Sequence, residues 1–187
     1  MPSNSRNGSR EEDGLQNNPR GKIENIPEEG GGKKEKSMIS RKRLARNWFF
    51  KGFSQTQIEA LLGLAQQASY PAGEKVVVEG EPADSFHILV QGAISIKMQM
   101  EGHGEMVLSI LKQTGEILGW SALVEGGRST ATAESLKDSK ILSFQREDLE
   151  NLFARDPVLG YSFMRRLAGL ISRRLQSTRA LLVKQIS

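Results

Sequence analysis

The chain has 187 residues and a formal charge of +4, a length that suits one domain of about 100–150 residues with additional segments. Cysteine is absent, which excludes disulfides, thiolate metal sites and cysteine nucleophiles. The net charge is too small to argue for nucleic-acid binding, and no apolar run resembles a signal peptide or approaches the roughly 20 residues of a membrane span. The expectation is a cytoplasmic protein.

Residues 1–37 are Gly, Ser, Asn, Glu, Lys and Arg with only isolated apolar side chains, and cannot bury enough surface to offset their ordering entropy. They read as a disordered basic and polar tail, and the domain proper spans 38–187. Within 38–67, Ser40 can cap a short helix running to Trp48. Ser54 then opens a second helix as S-x-x-Q, a capping box with Gln57, whose apolar stripe is Ile58, Leu61, Leu62 and Ala65.

Between residues 68 and 145 the period shortens. The segments KVVVEG, SFHILVQG, AISIKMQM, EMVLSIL, TATAES and KILSF are short, rich in Val, Ile and Phe, and separated by Gly- and Pro-containing turns. The turns are read at Pro71-Ala72-Gly73, Gln91-Gly92, a hairpin tip at Glu101–Gly104, and Gly126-Gly127. Such spacing argues a sandwich or barrel. Helical periodicity returns over 146–187: one helix from Glu147 to Arg155, then a long one opened by Asp156 as cap and Pro157 in its first turn. Near-heptad spacing at Leu167, Ile171, Leu175, Thr178 and Leu182 suits pairing with a second copy, so a homodimer is expected.

The stretch GEILGWSALVEGGRSTAT, Gly115–Thr132, carries the chemistry. Small residues allow close backbone approach, and a lone Arg128 beside Ser129 and Thr130 suits an anion, above all a phosphate. An enzyme is not expected. Only His87 and His103 could join carboxylates at a metal; His87 lies inside a strand and His103 at a hairpin tip, so no metal site and no catalytic residue is assigned.

Several motifs resemble the cyclic-nucleotide-binding domain family over about Trp48 to Leu182: Tyr70-Pro71-Ala72-Gly73-Glu74, Val78-Glu79-Gly80-Glu81, Phe86–Gly92, Gly115–Gly119, Ala131-Thr132-Ala133 and Ser139–Phe144. More narrowly the chain resembles the sensor half of Crp/Fnr-type regulators. The resemblance implies an α+β fold, a double-stranded β-helix (jelly roll) framed by N-terminal helices and a long C-terminal helix. It also implies a sensor function, with a cyclic nucleotide (cAMP or cGMP) as ligand, and no resident cofactor. In that family the loop is a phosphate-binding cassette. By resemblance, backbone from Gly119 through Trp120, Ser121 and Ala122 to Leu123 approaches the ribose phosphate, Arg128 pairs with the cyclic phosphate, and Ser129 or Thr130 adds a hydrogen bond.

The chain departs from that pattern in two ways. Trp120 stands where the family's binders place a Glu that accepts from the ribose 2′-hydroxyl, and an indole accepts nothing. The loop from there to Arg128 is also about one residue shorter. Three readings stay open: a cyclic nucleotide stacked on the indole; another small molecule, aromatic or carboxylate, held by Trp120 and Arg128; or a pocket filled by Trp120 with Arg128 paired to Glu134. The sequence ends at Ser187 without the helix-turn-helix of those regulators, so no DNA reading by this chain alone is expected and a protein partner is the expected output.

Overall fold

In the computed structural model of the chain, the described residues are 47–124 and 127–186. The expected tail over 1–37 and the expected Ser40 cap lie outside them, as does Gly126. Asn47 to Gly52 form turns, not the end of a helix. The first helix among the described residues, α1 (Gln55–Gly63), has the capping box expected at its start: the Ser54 hydroxyl accepts from the Gln57 amide N–H, and the Gln57 side chain accepts from the Ser54 amide N–H. Its Ile58, Leu61 and Leu62 are buried.

Among the described residues six strands follow: β1 (Gln66–Tyr70), β2 (Lys75–Val77), β3 (Ser85–Met100), β4 (Gly104–Leu111), β5 (Ile117–Leu118) and β6 (Thr132–Gln145). They form one antiparallel sheet with the path β1-β6-β3-β4, in which β2 also pairs with β6 and β5 with β3. The segments SFHILVQG and AISIKMQM are thus one strand of 16 residues, and most of TATAES joins KILSF in β6. What reads as a turn at Gln91-Gly92 is a bend inside β3, where the register against β6 shifts three times between Leu89 and Ile94. Gly92 has φ +115°, and a Cβ there would lie 2.1 Å from Ser139 Oγ, so the crossing of the two strands requires glycine.

The strands lead into α2 (Arg146–Arg155) and α3 (Pro157–Ile186). Asp156 caps α3 as expected: its Oδ1 accepts from the Leu159 amide at 2.9 Å, and Oδ2 accepts from Gln57 Nε2 at 3.1 Å. These bonds, the Leu159 N–H first, lower its carboxyl pKa.

Two apolar clusters result. One joins α1, α2 and α3 to the sheet through Phe49, Phe86, Phe144, Leu149, Phe163 and Leu167 among others. Phe163 is its hub, with ring centroids 4.9 Å from Phe49, 5.3 Å from Phe86 and 5.0 Å from Phe153. The other fills the rolled sheet with Ala68, Tyr70, Leu89, Ile94, Leu111, Leu118, Ala133 and Ile141. The fold is the expected α+β jelly roll with helices at its flank and a long C-terminal helix.

A cavity between the cassette and the C-terminal helix

Gly119 starts the cassette in a left-handed conformation, φ 68° and ψ 24°, and a short 3-10 turn runs over Trp120–Leu123. A Cβ at Gly119 would meet His87 Cδ2 at 2.7 Å and the Ser85 carbonyl oxygen at 2.8 Å, so the turn is pressed against β3 and only glycine fits. His87 is buried there, hydrogen-bonded through Nδ1 to Ser143 Oγ at 2.9 Å, and burial lowers its pKa from 6.5 to about 4. It is a neutral structural histidine at neutral pH. Among the described residues no cluster of His, Asp and Glu is arranged to hold a metal.

Beyond the cassette, residues 127–129 pair with the loop between β2 and β3. The Gly80 amide donates to the Ser129 carbonyl at 2.8 Å, Ser129 to Glu81 at 2.9 Å, and Ala83 to Gly127 at 2.6 Å. This pairing sets the direction of the side chains. Ser129 turns inward and is buried, whereas Arg128 is exposed and its Nη1 donates to the Gly80 carbonyl at 2.5 Å.

A cavity of about 320 Å³ is lined by members of both apolar clusters, Ile117, Trp120 and Ile171 of the first and Val77, Ile96, Leu118 and Ala133 of the second. Of the expected cassette residues, Gly119, Trp120, Ser121, Ser129 and Thr130 line it. Ala122 is buried behind them, and Leu123 packs against the helical cluster. Arg128 is not among the lining residues. The pairing of Arg128 with Glu134 that one of the three open readings offered is absent: Glu134 Oε2 accepts from Lys97 Nζ at 2.8 Å, while Arg128 is drawn to Gly80 by the strand pairing. The hydrogen bond to Glu134 is the first cause that raises the Lys97 pKa. Nor does Trp120 plug the cavity; its indole forms part of the wall and also packs against the helical cluster.

The opposite wall is α3. Ile171, Leu175 and Thr178, expected on a pairing seam, line the cavity, together with Arg174 and Ser177. Leu167, expected on the same seam, is fully buried in its own domain's core and is not free to meet a second copy. The side chain of Leu182 lies outside those described.

Sequence reading misses Arg174 as a site residue. Its Nη1 donates to Ser109 Oγ at 2.8 Å and its Nη2 to the Ile117 carbonyl at 3.2 Å, bolting α3 to β4 and β5. Burial lowers its pKa, and Glu116 offsets part of that effect. Ile171, Arg174, Leu175 and Thr178 follow the i, i+3, i+4, i+7 spacing of a single helical face, and that spacing is the signal that could have grouped them. Arg173, one residue earlier, lies on the Trp48 ring with its Cζ 4.1 Å from the ring centroid.

Residues 67–156 match the family model described as the cyclic nucleotide-binding domain. The chain is 29% identical over 135 residues to a CRP-like cAMP-activated global transcriptional regulator of Mycobacterium tuberculosis, covering 72% of this chain and 58% of the relative. It is 27% identical over 127 residues to the cyclic AMP receptor protein of Thermus thermophilus, covering 68% and 56%. This chain therefore spans a little over half the length of these two relatives. Among solved structures, the Thermus thermophilus catabolite activator protein superposes with a TM-score of 0.62 at 26% identity, over 73% of this chain and 62% of that one. A cyclic nucleotide-binding domain from Methylobacillus flagellatus gives 0.71 at 19% identity, over 81% and 85%, a likeness of fold alone. With its rolled sheet, its cassette turn and the long helix across the cavity, the chain carries a cyclic nucleotide-binding domain over residues 67–156 and is similar to Crp-like regulators.

Proposed function

We propose that this chain is a non-enzymatic sensor module that takes a small molecule into the cavity and reports its presence through α3. The observation that carries this reading is the shared wall. Cassette residues Gly119, Trp120 and Ser121 face the same space as Ile171, Arg174, Leu175 and Thr178 of α3. A ligand lodged there touches the sheet and the helix at once, so it binds differently to two positions of that helix, which is what a switch requires. The volume of about 320 Å³ falls at the low end of the range of roughly 300–1,000 Å³ for ligand pockets.

The family makes cAMP or cGMP the first ligands to try. The output of a module with this architecture is a change in what α3 touches: a second copy of the chain, or a protein partner. Leu175 is 50% exposed and Val183 64% exposed, which supports a homodimer contact on the C-terminal half of α3. Reading of DNA by this chain alone is not part of the proposal, and the cytoplasm is the proposed location. Among the described residues no helix is long and apolar enough to cross a membrane.

Calorimetric titration with cAMP and cGMP, paired with hydrogen exchange of α2 and α3, tests the sensor reading. Expected are saturable heat and altered protection from Asp156 through Thr178. Binding that leaves α3 exchange unchanged would overturn the relay.

A further inference from the structure

The lining of the cavity carries more information than the family resemblance does. Its walls are dominated by apolar groups such as Val77, Ile96, Met98 and Leu108, with the flat indole of Trp120 on one side. Hydroxyls come from Ser109, Ser121, Ser129, Thr130, Ser177 and Thr178. Among the described lining residues none is a carboxylate, and one is a cation, Arg174. Among these described residues a nucleotide's ribose diol finds no carboxylate acceptor, and the cassette arginine is engaged outside the cavity on Gly80.

We propose that the cavity selects a compact monoanion with an aromatic or apolar body, and that Arg174 of α3, not Arg128, supplies its counter-charge. This rests on the sensor reading above and gives that site its ligand class. A guanidinium has five N–H donors. The described bonds of Arg174 go to two neutral acceptors, a serine hydroxyl and a backbone carbonyl, and among the described residues no carboxylate lies within ion-pair distance of it. Glu116 attracts this partly buried cation without pairing to it, and an anion that reaches the guanidinium gains short, charge-assisted hydrogen bonds. The neighbouring indole offers a face for a ring to stack on. Burial of Arg174 agrees with this assignment, since the same desolvation that lowers its pKa strengthens any anion contact.

The assignment also couples binding to output. Arg174 is the bolt between α3 and the Ser109 and Ile117 positions of the sheet. A ligand carboxylate that draws on the same fork changes how tightly α3 is held, so charge recognition and helix displacement become one event.

The test compares indole-3-acetate, its uncharged amide indole-3-acetamide, and cAMP by calorimetry on the full chain and on Arg174→Gln and Arg128→Gln. The acid is expected to bind the wild type at least about tenfold more tightly than the amide, a factor typical of a charge-assisted hydrogen bond. Arg174→Gln should bring that ratio to about one with amide binding retained, and Arg128→Gln should leave it unchanged. Arginine-directed footprinting of the wild type with p-hydroxyphenylglyoxal needs no variant: indole-3-acetate should protect Arg174 and leave Arg128 labelled. A ratio near one in the wild type, a ratio that survives Arg174→Gln, or protection of Arg128 in place of Arg174 overturns the proposal. Binding of cAMP alone, lost in Arg128→Gln, overturns this ligand class and leaves the sensor reading standing. No heat from any of the three removes the cavity as a binding site, and both readings with it.

Discussion

At Gly119 the backbone sits at φ 68°, with His87 Cδ2 2.7 Å and the Ser85 carbonyl 2.8 Å from where a Cβ would be. Gly119→Ala is therefore expected to cost roughly 1–3 kcal/mol, measured by denaturant unfolding, because both the conformation and the space are wrong for a side chain. His87 makes a second prediction. Its folded pKa of about 4 lies below the ordinary 6.5, so the unfolded chain binds the proton more readily. Its contribution to stability is intact above pH 6.5, falls as pH drops from 6.5 to 4, and levels off below. The loss is on the order of 3 kcal/mol at about 1.4 kcal/mol per pKa unit. His87→Gln should flatten that acid limb of the stability profile; a limb of unchanged depth would show that other groups produce it. Gly119, Trp120 and Arg128 were assigned to the cassette through the family's motifs; the first two line the cavity and Arg128 does not, while Arg174, which does, was not assigned. The direction of Arg128 is fixed by pairing with Gly80 and Glu81, some 48 residues away, and the place of Arg174 depends on which face of α3 docks.

Among the elements, α3 shows most clearly how one sequence period serves two purposes. Its apolar spacing predicts a pairing seam, yet Leu167 belongs to the chain's own core and Ile171 faces the cavity. Leu167→Ala should cost about 2–5 kcal/mol of unfolding free energy, by an amount independent of protein concentration. Leu175→Glu, at a half-exposed position, should instead act on self-association: sedimentation velocity is expected to show a dimer for the wild type and a monomer for the variant, and a dimer in both would move the contact off this seam. At the α2–α3 junction, a Cβ on Gly160 would lie 2.8 Å from Phe153 Cβ, so Gly160→Val should force the two helices apart and cost about 1–3 kcal/mol. The strands were legible from their short apolar periods, and the Ser54 capping box and the Asp156 cap from the residue types at those positions. The single long course of β3 was not, because Gln91-Gly92 has the composition of a turn, and only the crossing with Ser139 explains the glycine there.

At the scale of the whole molecule, members of both apolar clusters line one cavity, and the proposed sensor function rests on that shared lining. The β-roll was legible in the sequence as a fold because its glycines and apolar periods are imposed by the sheet. The character of the cavity was not, because it depends on side chains from β2, β3, β4 and α3 that no local pattern brings together.

The position of Trp120 has an optical consequence. The chain has two tryptophans, and only Trp120 borders the cavity; Trp48 is partly exposed and lies under the Arg173 guanidinium. With Trp48→Phe, the protein would carry one indole emitter at the wall of its own binding space. Its emission wavelength would then respond to what displaces water there, an unlabelled signal of occupancy built into the cassette.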